Sequence, residues 1–224
     1  MNFTTYLHEK ARPIWRQYHE HPFVKGIGNG TLQQEKFRFF MVQDYLYLIE
    51  YAKLFAVGTL KAKDIQTMQE FTKLQDAILN GEMELHRKYA AQFGITASEL
   101  ENAKPSPIML AYSHYMLSVS QSGSIADLIA ALLPCVWSYA EIGQKLNQIP
   151  GAADNEDYGE WVKMYASEEF DELSVWLKDK LDELTDGMAQ QEKDRLEEIF
   201  LNTSRFEYMF WDMVYNEEMW PLDA

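Results

Sequence analysis

The chain has 224 residues, 47% of them hydrophobic, enough to bury a sizeable core in a single domain without disulfides or structural metals. Its 35 acidic residues against 20 basic ones give a formal charge of −15, which repels phosphate backbones and anionic lipid surfaces and so argues against a nucleic-acid partner. The first thirty residues lack a basic start followed by an apolar core, no apolar run approaches the roughly 20 residues of a membrane span, and the one cysteine cannot pair within the chain; a cytoplasmic protein off the membrane, with Cys135 as a thiol, is expected.

Eleven glycines, seven prolines and abundant Glu, Lys, Leu, Ala and Met favour helix over sheet. Hydrophobic period predicts amphipathic helices at 3–20, 32–60, 64–93, 105–121, 124–148, 155–166, 168–185 and 188–219. Three starts have the form of a capping box: Thr31 to Gln34, Thr96 to Glu99, and Ser124 to Asp127, the last with Asp in place of Glu or Gln. Pro150-Gly151 and Asp186-Gly187 can close helices, because proline cannot continue one and glycine enters the left-handed region without strain. Long helices with short connections imply an all-α, up-and-down helical bundle made by one domain over 1–224.

Polar residues interrupt the apolar stripes at informative places. In the 32–60 helix, Asp44 lies among Phe37, Phe40, Met41, Tyr47, Leu48, Tyr51 and Phe55, and in the last helix Glu207 occupies a position that the period of Leu196, Ile199, Phe200, Phe210, Trp211 and Val214 reserves for a hydrophobe. An inward carboxylate costs several kcal/mol unless it is partnered or used. Cys135 shares a face with Leu128, Leu132, Tyr139, Ile142 and Leu146, and Pro134 just before it removes a hydrogen bond to the Ala130 carbonyl, which predicts a kink beside the thiol. Tyr112 and Tyr115 on another stripe, with the pair Trp161 and Tyr165, add aromatic walls. These residues compose either ordinary core with locally satisfied acids or a pocket suited to a flat polar heterocycle. Glu82 and His86 stand one turn apart and are expected to hydrogen-bond within their helix. No Glu is followed by His at the spacing a bundle di-iron site needs, and zinc, phosphate-loop and dinucleotide motifs are absent, so neither metal nor cofactor is expected.

In order, spacing and type these residues resemble the TenA (thiaminase II) family across nearly the whole chain. The resemblance is carried by Gly30-Thr31-Leu32 with Phe37 and Gln43 to Leu48, by Pro107 through Tyr112 to Tyr115, by Leu132 to Tyr139, by Trp161 through Tyr165 to Phe170, and by Phe206 to Met213. It implies a haem-oxygenase-like bundle, a homotetramer, and hydrolysis of 4-amino-5-aminomethyl-2-methylpyrimidine to its hydroxymethyl counterpart and ammonia, with thiamine a slower substrate. Carried over residue by residue, it makes Cys135 the nucleophile and Glu207 the acid/base, and gives Asp44 the pyrimidine's amino group and ring nitrogen. Tyr112, Tyr139 and Tyr165 would line the site near the thiol or leaving group, while Tyr47 and Phe210 would stack on the ring. Position 47 is often Phe in the family, so the Tyr47 hydroxyl is not expected to act chemically. Two competing readings are a haem- or metal-dependent oxygenase with His8 or His86 as axial ligand, and a pyrimidine-binding regulator without turnover.

Overall fold

The computed structural model describes residues 2–222, and every regular element among them is helical. In chain order these are α1 (Phe3–Glu20), α2 (Pro22–Asn29), α3 (Gln34–Lys61), α4 (Ile65–Asp76), a π-helical turn (Ala77–Glu82), α5 (Met83–Gln92), α6 (Ala97–Glu101), α7 (Pro107–Ser122), α8 (Ile125–Asn147), α9 (Gly159–Tyr165), α10 (Glu168–Thr185) and α11 (Gln190–Asn216).

Two of the three expected capping boxes form. Thr96 Oγ1 accepts from the Glu99 N–H while the Glu99 carboxylate accepts from the Thr96 N–H at 2.7 Å, and Ser124 and Asp127 make the same reciprocal pair with the shorter acid. Thr31 does not cap α3. Its N–H and that of Leu32 both turn back to the Gly26 carbonyl, closing α2 through a left-handed Gly30, and α3 starts at Gln34. The helix α2 itself was not expected; Pro22 in its first turn and His21 Nδ1 accepting from the Phe23 N–H start it. The expected 64–93 helix is broken by the π-helical turn, which contains the poor helix formers Asn80 and Gly81. Residues 155–158 are a turn rather than helix, because Asn155 Oδ1 accepts from the N–H groups of Asp157 and Tyr158 at 2.9 Å.

The chain forms two compact units, residues 1–34 with 129–212 and residues 35–128 with 213–224. In the first, α1 packs on α10, and Thr4 donates from both N–H and Oγ1 to the Asp182 carboxylate at 2.8 Å. Leu7, Trp15, Leu132, Ile142, Leu177 and Phe200 are among its buried side chains, each worth about 1.5–3 kcal/mol when withdrawn from water. In the second unit the core includes Phe37, Phe40, Phe55, Phe71 and Met116. There the buried Gln43 amide donates to the Lys104 carbonyl and accepts from the Ser106 N–H, tying α3 to the segment that starts α7. The helix α8 comes closer to a membrane span than the sequence suggested: one 18-residue stretch has a mean hydropathy of 1.5. Since 78% of that stretch is buried inside the protein, its composition is that of a core helix.

Candidate active site

In the first unit the site is built on α8 and α11. Cys135 is partly buried on α8, which runs unbroken through Pro134, and Tyr139 stands one turn beyond it. The Tyr139 ring stacks on Trp211 at 5.1 Å and meets Tyr165 at 4.8 Å, while Tyr165 lies 4.5 Å from Trp161 and edge-on to Phe170. Contacts of this geometry hold aromatic rings at fixed angles and leave little freedom to rotate. The absence of a side chain at Gly143, two turns after Cys135, permits this arrangement: a Cβ there would lie 2.3 Å from the Tyr165 carbonyl carbon. Glu207 is 2% exposed on α11, and Phe210, one turn on, is equally buried.

The surroundings of Glu207 include three residues that the sequence reading passed over. Trp15 donates from Nε1 to Ser204 Oγ at 3.0 Å, and the Tyr18 hydroxyl donates to the Ser204 carbonyl, so two side chains one turn apart on α1 grip α11 one turn before Glu207. Burial pushes the Tyr18 phenol well above the usual tyrosine range, and charge on Glu207 and then on Cys135 raises it further. Tyr18 therefore keeps its proton, and its hydroxyl shares one electrostatic neighbourhood with the carboxylate and the thiol. Nothing in the α1 sequence marks Tyr18 apart from ordinary core.

The second unit holds Asp44, Tyr47 and Tyr112. Asp44 is 3% exposed, and its Oδ2 lies 2.6 Å from His86 Nε2 on α5. Tyr47 stacks on Tyr51 and on Tyr112, each with centroids 5.2 Å apart, and its hydroxyl reaches the Met116 sulfur at 3.9 Å. The expected Glu82–His86 bond forms through the backbone, with His86 Nδ1 on the Glu82 carbonyl at 2.9 Å. With one nitrogen on Glu82 and the other on Asp44, His86 is committed away from axial ligation. In the first unit His8 is likewise engaged, through Nε2 on Glu141 at 2.9 Å with its ring stacked on Trp137. These commitments weigh against the oxygenase reading.

The profile of the TENA/THI-4/PQQC family matches residues 8–217. An aminopyrimidine aminohydrolase from Halalkalibacterium halodurans is 60% identical over 220 residues, 98% of this chain and 98% of that protein. A TenA homologue from P. horikoshii OT3 superposes with a TM-score of 0.89 at 32% identity, over 97% of this chain and 100% of that one. A domain from Shewanella denitrificans with a haem-oxygenase-like fold agrees at a TM-score of 0.77 over 96% of this chain and 92% of its own; at 18% identity that likeness speaks to fold alone. The fold is all-α and haem-oxygenase-like, and the chain belongs to the TENA/THI-4/PQQC family.

Proposed function

We propose that this protein is an aminopyrimidine aminohydrolase of thiamine salvage, converting 4-amino-5-aminomethyl-2-methylpyrimidine to the hydroxymethylpyrimidine and ammonia, with thiamine cleavage as a side activity. The observation that carries the reading is that Tyr139, one turn after Cys135, stacks on Trp211, one turn after the buried Glu207, which packs the helix of a nucleophile against the helix of an acid along a wall of aromatic rings. The aminopyrimidine aminohydrolase from Halalkalibacterium halodurans, 60% identical over nearly the full length, supports the same reaction.

The chemistry follows from these groups. The Cys135 thiolate adds to a carbon of the pyrimidine ring, and the electron pair it pushes into the ring expels the amine from the attached methylene. Glu207 gives a proton to the departing amine, then takes one from the water that adds to the methylene; loss of the thiolate restores the aromatic ring. Asp44 is assigned the amino group and ring nitrogen of the pyrimidine. Tyr112, Tyr139 and Tyr165 line the site near thiol and leaving group, and Tyr47 and Phe210 stack on the ring. The reading carries with it a homotetramer working in the cytoplasm, as the family resemblance implies.

The deciding experiment compares ammonia release from the aminomethylpyrimidine with thiamine cleavage, for the wild-type protein and for Cys135→Ser. A hydroxyl keeps the shape but is a far weaker nucleophile than a thiolate, so the variant is expected to bind the hydroxymethylpyrimidine and turn nothing over. Undiminished hydrolysis by Cys135→Ser rules out the covalent route.

A further inference from the structure

His86 has no part in the chemistry above, yet it is fully buried and bonded to Asp44. Its two ring nitrogens face two oxygens, Asp44 Oδ2 at 2.6 Å and the Glu82 backbone carbonyl at 2.9 Å. The carbonyl can only accept, and so can an ionised carboxylate. A ring with a single proton then satisfies one of them and sets a bare nitrogen against the lone pair of the other, and an unmade bond of that kind in the interior costs about 1–3 kcal/mol. Both contacts are met when the pair holds one proton more than a neutral imidazole beside a carboxylate. That proton resides on the ring, as an imidazolium, or on Asp44, as a carboxylic acid donating to Nε2.

The local fold supports this arrangement. The π-helical turn ends at Glu82, where α5 takes over, and His86 one turn later is turned fully inward while the Glu82 side chain is only half-buried. Burial alone pushes the ring towards neutrality. The hydrogen bond and charge of Asp44, followed by the charge of Glu82 and the bond to its carbonyl, outweigh it and leave the His86 pKa raised above the ordinary histidine value.

We infer that His86 and Asp44 form a proton-holding dyad through which Asp44 can donate to a ligand's ring nitrogen as well as accept from its amino group; the inference rests on the aminopyrimidine reading above. An aminopyrimidine presents an N–H donor beside a ring-nitrogen acceptor. A bare carboxylate fits the first and repels the second, whereas a carboxyl backed by the dyad's proton fits both. When the Cys135 thiolate adds, the electron pair displaced from a ring double bond moves onto the nitrogen, which takes the dyad's proton. As the nitrogen gives that proton back to the dyad, its pair re-enters the ring and expels the amine; when water adds to the methylene the nitrogen takes the pair and the proton again, and returns both as the thiolate leaves. His86 is thus a positioning residue that acts through Asp44.

Nitrogen NMR of the ligand-free full chain with labelled histidine, His86 being assigned by its loss in His86→Gln, tests the dyad near neutral pH without any substrate. Protons on both ring nitrogens, or on Nδ1 with Nε2 accepting, are the expected results; a proton on Nε2 alone overturns the inference whatever the protein catalyses. His86→Gln also retains an amide N–H towards Asp44 while losing the mobile proton. Its hydroxymethylpyrimidine binding is expected to weaken by about tenfold, because the bare carboxylate repels the ring nitrogen, with kcat for ammonia release down by about 10²-fold or more. Unchanged kcat, or binding and kcat lost in equal measure, overturns the role. Absence of ammonia release from the wild-type protein sinks the aminohydrolase reading instead, a failure that the NMR result keeps separate.

Discussion

At Glu207 the sequence and the structure meet on one residue: a carboxylate at a position of α11 reserved for a hydrophobe, found 2% exposed. None of residues 203, 204, 210 and 211, its neighbours at i±4 and i±3, is basic. If it moves protons, Glu207→Gln lowers turnover by about 10²–10⁴ and leaves the melting temperature nearly unchanged. A structural ion-pair partner gives the opposite pattern, about 3–5 kcal/mol of folding stability lost with the chemistry spared, so one variant measured both ways decides. Asp44 was legible for the same reason as Glu207, being an acid within an apolar stripe. Its partner was not, because His86 is 42 residues away and periodicity speaks only for neighbours on one helix. Asp44→Ala is expected to weaken hydroxymethylpyrimidine binding by the roughly 2–5 kcal/mol that accompanies loss of a buried charged partner. Unchanged affinity, measured by calorimetry, removes Asp44 from the binding role.

Helices were legible where a period and a cap agreed, as at α8 with its Ser124–Asp127 pair and α10 with its Asp186-Gly187 close, whose boundaries fall within one residue of those expected. They were illegible where the cause lay in local backbone chemistry that the period hides. The π-helical turn preserves an apolar run while changing the number of residues per turn, and α2 is too short, at eight residues, for a period to establish itself. Gly143 is a further case: an isolated glycine within an apolar helix reads as a mild weakness, yet here it admits the Tyr165 backbone. In a free helix, Gly→Ala gains about 1 kcal/mol. At 143 the new Cβ meets backbone, which cannot swing aside like a side chain, so overpacking of about 1–3 kcal/mol or more wins. Gly143→Ala is therefore expected to lower the urea midpoint and to depress activity by displacing Tyr165. Gly81→Ala, where a Cβ meets nothing within 4 Å, is expected to leave the midpoint unchanged or raise it. Equal midpoints for the two variants would show that the contact at Tyr165 yields freely.

For the whole molecule, composition and period were sufficient for the helical class, while subunit number leaves no trace in the period of one chain, since a face that meets a partner and a face that meets the core follow the same rule. The charge of −15 sets how the molecule responds to acid. Protonating exposed carboxylates between neutral pH and about pH 5 reduces self-repulsion, so stability should hold or rise over that range. Below it, individual paired acids decide. Glu141 on α8 bonds His8 at 2.9 Å and approaches His19 at 3.6 Å, both on α1. Burial opposes its charge, but the bonds from His19 and His8, with the charges of His8 and Lys145, overcome it and bring the carboxyl from 4.5 down to about 2. The folded state thus holds this proton less tightly than the unfolded chain does. Its stabilisation is complete above about pH 4.5 and drains away as pH falls through about 2. Because the side chain is 26% exposed, solvent screening reduces the contribution to about 1–2 kcal/mol. Glu141→Gln removes this titration and retains the shape. The difference in unfolding free energy between wild type and variant, followed by urea denaturation, is expected to be present at pH 5 and to shrink towards zero as pH falls from about 4.5 towards 2, because the global charge term moves both proteins together. A difference that stays constant down to pH 2.5 would show that Glu141 holds α1 and α8 by packing rather than by charge.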